Sequence, residues 1–372
     1  MADRVRRSFA LGLSLVATPA AADDPAVKLG ASYVTDVLAV VDGGRRRGAG
    51  WLGRADVTLT ADGGAIGLDG VRLFADVLAT QPGDFSGNKV GDFQTVSNVQ
   101  ADSPLRPFEL YVEAPLTRRL SVKAGLVDLN TEFDVQRIGA LFLNSAHGIG
   151  PDFSQSGVNG PSIFPASATA VIGRYDAGAW RARIGLFDAV AGGLSDPRRT
   201  VFRLPGAKGA LIVGEVERLF GSTEVQLGAW RYTDRFPAQG SAGRRVASQG
   251  AYALVEGPLG NRLSGWLRVG LADARANPIA AYIGGGLTHG DDRSRVGLAV
   301  AHAMLGGPAR RSLIQGVRAR RAETAIELTW ERRIAKGVTI QPDIQYVIDP
   351  GWNTAVRNAL VIGSRFRFAI GD

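Results

Sequence analysis

The sequence predicts an all-β protein, a transmembrane antiparallel β-barrel of about sixteen strands with short periplasmic turns and longer extracellular loops. Two observations lead to this prediction: many short segments alternate between apolar and polar residues, and the connections between them alternate in length. In addition, no stretch of the 372 residues approaches the about 20 consecutive apolar residues that a transmembrane helix needs. A chain of this length can form one barrel as a single domain.

Alternation with a period of two defines the strands. Within residues 51–60, Val57 and Leu59 share one face, and Arg54 and Asp56 share the other. This pattern is typical of a strand with one apolar face, here toward lipid, and one polar face, here toward a wet lumen. The expected strand starts are Gly30, Trp51, Val71, Phe108, Leu120, Ala168, Trp180, Ala210, Glu224, Gln249, Leu263, Ala280, Ser294, Glu323, Val338 and Ala359.

The lengths of the connections follow strand parity. Connections after odd-numbered strands are mostly long, as at residues 81–107, 130–167 and 188–209, whereas those after even-numbered strands are short, as at 115–119 and 176–179. This alternation results if all long loops lie on the outer side of a membrane and all tight turns on the periplasmic side. A two-sheet sandwich with crossover connections has no reason to keep this parity.

The N-terminus has the three parts of an export signal, predicted to span residues 1–22. Three arginines precede an apolar core at residues 9–17, and Ala-Ala-Ala at 20–22 forms a cleavage site. Residues 23–372 are then a single outer-membrane barrel. We expect the outer membrane of a Gram-negative bacterium as its location, with barrel-assembly machinery, membrane lipid and lipopolysaccharide as partners.

Composition excludes several other classes of function. The chain has no cysteine, which rules out disulfides, thiolate metal sites and cysteine nucleophiles. Its net charge of +8 is scattered rather than clustered, so nucleic-acid binding is not expected. The three histidines lack any paired metal-ligand spacing, and we expect no metal and no cofactor.

Ser145, His147 and Asp152 could suggest a hydrolase triad, but no nucleophile-elbow motif accompanies them.

The most specific signal lies in three neighbouring segments, Gly125-Leu-Val-Asp-Leu-Asn-Thr-Glu-Phe133, residues 141–157 and Asn159-Gly-Pro-Ser-Ile-Phe-Pro165. These segments strongly resemble the carbohydrate-selective porin family of the OprB type. The resemblance extends more weakly over residues 51–77, over 108–113 and along the later strands. It implies a sixteen-stranded outer-membrane barrel through which sugars diffuse passively, without energy coupling. The chain is slightly short for the family, which suggests trimmed outer loops.

The long connection at residues 130–167 has an unusual composition for an external loop. It is too long for a structureless connector, and Phe133, Phe142, Phe153 and Phe164 require burial. We therefore expect this loop to fold into the lumen, where it would narrow the pore and set its selectivity. The alternative is that the loop caps the barrel wall or contacts a neighbouring subunit. The sequence leaves open whether the protein is a monomer or a homotrimer.

The predicted function is passive diffusion of small neutral sugars through a porin, and the protein is not expected to be an enzyme. Arginine forks and carboxylates in a wet lumen can hydrogen-bond sugar hydroxyls; the alternative role for each is a salt bridge that only satisfies the interior. Two alternative functions are a general or anion-preferring porin and, less favoured by the sequence, a barrel enzyme that uses Ser145 or His147. The candidate pore-lining residues are Arg54, Asp56, Arg72, Glu109, Glu113, Lys123, Asp128, Asn130, Glu132, Arg181, Arg183, Glu323, Glu327, Arg365 and Arg367.

Overall fold

The computed structural model describes residues 26–102, 105–313 and 319–371. Over these ranges the chain forms a closed barrel in which consecutive strands pair in order and the last strand pairs with the first, all in antiparallel fashion. The predicted all-β transmembrane barrel of sixteen strands is confirmed. No helix in the described part of the chain is long and apolar enough to cross a membrane. The export signal expected at 1–22 lies outside the described residues and stays a prediction.

The strand boundaries agree closely with the predicted starts. The largest difference is at the tenth strand, which starts at Arg245 rather than Gln249 because its pairing with the preceding strand continues past a bulge between Ala247 and Gln249. The strands are β1 (Val27–Gly44), β2 (Gly48–Asp62), β3 (Arg72–Thr80), β4 (Arg106–Pro115), β5 (Leu120–Val127), β6 (Ala168–Ala177), β7 (Trp180–Asp188), β8 (Ala210–Phe220), β9 (Thr223–Pro237), β10 (Arg245–Gly260), β11 (Leu263–Ala272), β12 (Ile279–Gly290), β13 (Ser294–Leu305), β14 (Ala322–Ala335), β15 (Val338–Ile348) and β16 (Arg357–Ile370).

The helical elements are short and lie in the connections. Glycine or proline lies in or next to most of these segments, and none extends beyond two turns. They are α1 (Pro151–Ser154), α2 (Gly307–Leu313), a π-helical turn at Ser86–Val90, and 3₁₀ turns at Gly63–Ile66, Leu129–Thr131, Gly139–Leu141, Ser145–His147 and Pro350–Trp352.

The two faces of the strands have opposite chemistry. On β2, Val57 and Leu59 are exposed on the outside, while Arg54 and Asp56 point inward and are partly or fully buried. The same alternation places Leu328 of β14 on the outer face, at 46% exposure. Apolar side chains therefore cover the surface that contacts lipid, and polar side chains cover the inner wall, as expected of a membrane barrel.

Long and short connections lie at opposite ends of the barrel, as predicted. Turns after even-numbered strands are as short as residues 178–179 and 336–337, whereas odd-numbered strands are followed by connections as long as 81–105, 128–167 and 189–209. We call residues 81–105 the β3–β4 loop and residues 128–167 the β5–β6 loop. Both pack against inward-facing residues of the wall.

Apolar side chains of these two loops make the core of the molecule inside the barrel. Phe133 and Phe153 of the β5–β6 loop pack with Phe187 and Trp230 of the wall. A second cluster joins the β3–β4 loop to β1, β2 and β16, and a third lies around Trp266 of β11. Burial of these side chains stabilises the inward position of both loops.

Candidate functional site

Carboxylates of the barrel wall hold the backbone of the two inward loops. Glu256 accepts hydrogen bonds from the backbone N–H groups of Arg137, at 3.2 Å, and Ile138, at 2.9 Å. A loop buried inside a barrel needs such partners because its backbone donors have no access to water. The wall carboxylates that accept loop amides in this way are Glu109, Glu215, Glu256 and Glu327 for the β5–β6 loop and Glu323 for the β3–β4 loop.

A fully buried ion cluster adds a second attachment of the β5–β6 loop. The guanidinium of Arg268, on β11, donates to Asp134 at 2.7 Å through Nη2 and also to Asp152. All three side chains have no solvent exposure. Glycine at positions 150 and 270 leaves room for this cluster, since a Cβ at either Gly150 or Gly270 would overlap it. Because a buried charge without its partner is strongly destabilising, the cluster fixes the loop against β11.

The loops leave a cavity of about 660 Å³ on one side of the lumen. Its wall comes from β1, β2, β3 and β16, and its opposite side comes from the β3–β4 and β5–β6 loops. A second cavity, of about 560 Å³, lies toward the periplasmic turns of strands β1 to β6 and is lined by Arg72, Glu113 and Arg174. We call these the loop cavity and the turn cavity. Both have the size of small-molecule sites.

Charged groups of opposite sign are balanced around the loop cavity. Arg54 donates through Nε to Asp56 at 2.8 Å, lies 3.9 Å from Asp76, and stacks over the ring of Phe164 at 4.6 Å. Burial raises the pKa of Asp128 to about 6, although a bond from the backbone N–H of Asn130 lowers it. The ionisable residues that line this cavity are Arg54, Arg365, Arg367, Asp56, Asp76 and Asp128.

Eight of the sequence candidates line the two cavities. In the loop cavity these are Arg54, Asp56, Asp128, Asn130, Arg365 and Arg367, and in the turn cavity they are Arg72 and Glu113. Six of the eight are also engaged in ion pairs: Arg54 with Asp56, Arg72 with Glu113, Arg365 with Asp36 at 2.7 Å and Arg367 with Glu331 at 2.7 Å.

The other seven candidates line neither cavity. Arg181 and Arg183 form ion pairs with neighbouring wall carboxylates, and Lys123 pairs with Glu132. As candidate pore-lining residues, Glu323 and Glu327 are predicted to face the water of the lumen, and this prediction is wrong. Both point inward, but the loops cover them completely and take up their oxygens as backbone acceptors. The candidates outside the cavities are Glu109, Lys123, Glu132, Arg181, Arg183, Glu323 and Glu327.

Several cavity residues were missed by the sequence reasoning. Asp76 and Arg174 lie on strands whose alternation could have revealed them, since Asp76 shares the inner face of β3 with Arg72. Phe164 and Gln100 belong to loops, where no period indicates the direction of a side chain. Their positions depend on how the loops pack, which local sequence does not determine.

The residues of the suggested hydrolase triad are not arranged as one. Asp152 is bound to Arg268, and neither ring nitrogen of His147 has a hydrogen-bond partner among the described residues. The imidazole is enclosed between the rings of Phe142 and Trp266, whose centroids lie 5.1 Å and 5.7 Å from the imidazole centroid. Burial lowers the pKa of His147 to about 3, so the ring is neutral at pH 7.

Comparison with known proteins gives one family and a set of similar structures. The model of the family described as "Carbohydrate-selective porin, OprB family" matches residues 46–370. No curated protein matches the sequence. The high-pH structure of Pseudomonas putida OprB is 19% identical, with a TM-score of 0.82 over 93% of this chain and 94% of that chain. The outer membrane channel DcaP of Acinetobacter baumannii is 8% identical, with a TM-score of 0.57 over 92% of this chain and 97% of that chain.

These structural likenesses, at low sequence identity, show the fold, a sixteen-stranded porin barrel of the kind found in outer membranes. The family match covers most of the chain, including the loop segments that line the loop cavity. The chain therefore belongs to the OprB family of carbohydrate-selective porins.

Proposed function

We propose that the loop cavity is the selectivity site at which this porin passes small neutral sugars by passive diffusion. The observation that carries the proposal is the charge balance around the cavity, where Arg54, Arg365 and Arg367 face Asp56, Asp76 and Asp128. Fixed charges of both signs repel no neutral solute and offer strong hydrogen bonds to its hydroxyls. A ring of one sign would instead select an ion.

The side chains fit a solute with neighbouring hydroxyl groups. The guanidinium fork of Arg54 can donate to two adjacent oxygens, and Asp56 can accept from hydroxyl protons. Amides of Asn130 and Gln100 supply both donors and acceptors. Binding must be weak, at about −4 kcal/mol or a millimolar dissociation constant, because a tightly held sugar would block the pore.

The two inward loops form the constriction in this proposal. The β5–β6 loop contributes Asp128, Asn130 and Phe164 to the loop cavity, and the β3–β4 loop contributes Gln100. Wall carboxylates and the Arg268 cluster hold the β5–β6 loop in place. The rigid wall therefore positions loop groups that a solute can contact.

Liposome-swelling rates test this assignment. For the double variant Arg54→Gln/Asp56→Asn, we expect the rate for glucose to fall relative to the rate for a similarly sized zwitterionic amino acid, because the donor fork and the acceptor are both weakened. Arg181→Gln is the control, since Arg181 forms ion pairs outside both cavities. An unchanged ratio of the two rates in the double variant, with normal insertion, would refute the role of this pair.

An anion-preferring porin is the second candidate function. The basic excess of the chain favours it, as does the turn cavity, where Lys28, Arg72 and Arg174 face Asp62 and Glu113. The reversal potential in a salt gradient separates the two functions. A value near zero supports the neutral-solute pore, and a strong anion potential supports the alternative.

A further inference from the structure

Exposed arginines gather on the outer face of the β9–β10 hairpin, at its extracellular end. Arg235 pairs across the strands with Ala247, and Arg245 pairs with Pro237. Each of these two guanidinium groups donates to the backbone carbonyl of the other residue. Arg231 lies one step closer to the membrane centre, opposite Gln249. We call Arg231, Arg235 and Arg245 the hairpin arginines.

Many other arginines at the extracellular end of the barrel have a carboxylate partner, which the hairpin arginines lack among the described residues. Arg203 is held by Asp188 at 2.5 Å, and Arg275 by Asp273 at 2.6 Å. In contrast, no carboxylate lies within ion-pair distance of any hairpin arginine in the part of the chain that the structure describes. Asp234 is close in sequence but lies against Gly209. The positive charge of this surface is therefore left uncompensated by the protein.

An apolar groove of about 550 Å³ continues from Arg231 toward the centre of the membrane on the same outer face. Gly214, Ala229 and Ala251 are cross-strand neighbours on β8, β9 and β10 and form its floor. The groove is bounded by the exposed side chains of Ile212 and Leu271. Arg231 and Asp273 lie at its extracellular end, and the Asp273 carboxylate is paired with Arg275.

We propose that this surface binds a phosphorylated, acylated lipid of the outer leaflet, of the lipopolysaccharide type. The hairpin arginines bind the phosphates at headgroup level, and one acyl chain occupies the groove. The charge complementarity supports the assignment, because guanidinium forks suit phosphate oxygens. The positions along the membrane normal also match those of the lipid, because the arginines lie at the level of the phosphates and the groove lies deeper, at the level of the acyl chains.

Lipopolysaccharide, rather than a phospholipid, is the occupant because the surface is at the loop end of the barrel. That end faces the outer leaflet, where this glycolipid resides. Its several phosphates match several arginines, whereas a phospholipid carries one. The surface is also separate from the solute pathway, because the hairpin arginines line neither the loop cavity nor the turn cavity.

The test measures lipid retained by protein extracted from outer membranes in mild detergent, using native mass spectrometry and titration with purified lipopolysaccharide. For the variant Arg231→Gln/Arg235→Gln/Arg245→Gln, we expect the dissociation constant to rise about five-fold per arginine removed. The matched control is Arg218→Gln. Arg218 is also exposed on the outer wall, over Trp180 at 4.6 Å, but it lies at the periplasmic end of β8. This control should bind lipopolysaccharide as the wild type does.

A second variant tests the groove without changing charge. Gly214→Val/Ala229→Leu fills the floor, and a Cβ at Gly214 meets no atom within 4 Å, so the barrel should tolerate it. We expect lower retention of lipopolysaccharide and unchanged single-channel conductance. The proposal is overturned if both variants retain as much lipopolysaccharide as the wild type. It is also overturned if wild-type protein binds phosphatidylglycerol equally well, or if the arginine variant changes the oligomeric state and thereby shows that a second copy covers this face.

Discussion

At the scale of single residues, inward-facing charges of the barrel divide by what covers them. Asp56 and Asp76 line the loop cavity, whereas Glu256 and Glu327 lie beneath the β5–β6 loop and accept its amide protons. The residue types and the strand positions are alike in the two groups. The difference arises from the loop, because a covered carboxylate must bond to protein groups instead of water.

The buried His147 leads to a prediction about how the stability of the fold depends on pH. The buried ring has a pKa of about 3, below the ordinary value of about 6.5, so the folded state favours the neutral form. Its contribution to stability is complete above pH 6.5 and is lost as the pH falls toward 3. Acidification from pH 7 to pH 4 should therefore lower the free energy of unfolding by up to about 3 kcal/mol through this residue.

The matched variant is His147→Phe, which keeps an aromatic ring between Phe142 and Trp266 but cannot titrate. Urea unfolding in lipid vesicles at pH 7 and pH 4 measures the difference. We expect the wild type to lose more stability on acidification than the variant does. An equal loss in both proteins would show that the imidazole does not contribute to the acid sensitivity.

At the scale of elements, strands and loops differ in how far the sequence predicts them. Each strand is recognisable from a period of two, because neighbouring side chains of a strand face different solvents. The position of a loop depends on distant partners. Thus the apolar content of the β5–β6 loop predicts its burial, but the contacts of Ile138 with Glu256 and of Asp152 with Arg268 join residues more than a hundred positions apart. The sequence therefore predicts the polar inner face but not which part of it stays open.

Deleting residues 139–157 tests whether the β5–β6 loop narrows the pore. The deletion removes Phe142, Asp152 and Phe153 from the lumen, so water should replace the packed loop and solvate Arg268. The strands should still close, because outer loops are not part of the barrel wall. We expect higher single-channel conductance and a weaker preference for monosaccharides over amino acids of similar size.

The control for this deletion is a shorter β9–β10 hairpin that lacks residues 240–243, since these residues line neither the loop cavity nor the turn cavity. Its conductance and sugar preference should match those of the wild type. If the 139–157 deletion inserts normally and also behaves like the wild type, the β5–β6 loop does not form the constriction, and strand residues such as Arg54 must set the selectivity alone.

At the scale of the whole molecule, the lumen is asymmetric. The loop and turn cavities are lined by strands from β1 to β6 and by β16. The other half of the wall faces packed side chains, with clusters around Trp230 and Trp266 and around Ile279 and Trp352. In the proposed function, solutes therefore pass along one side of the barrel, and the opposite side anchors the loops.

Cysteine accessibility tests this asymmetry, because the chain has no cysteine of its own. Thr58 lines the loop cavity, its neighbour Val57 faces lipid at 52% exposure, and Ala325 faces inward on β14 with no exposure. A small charged methanethiosulfonate reagent should react with Thr58→Cys and lower the conductance in steps. Val57→Cys should not react because the reagent does not enter the hydrocarbon, and Ala325→Cys should not react because packed loops exclude it. Reaction of Ala325→Cys at the rate of Thr58→Cys would mean that water fills both halves of the lumen and that the loops do not confine solutes to one side.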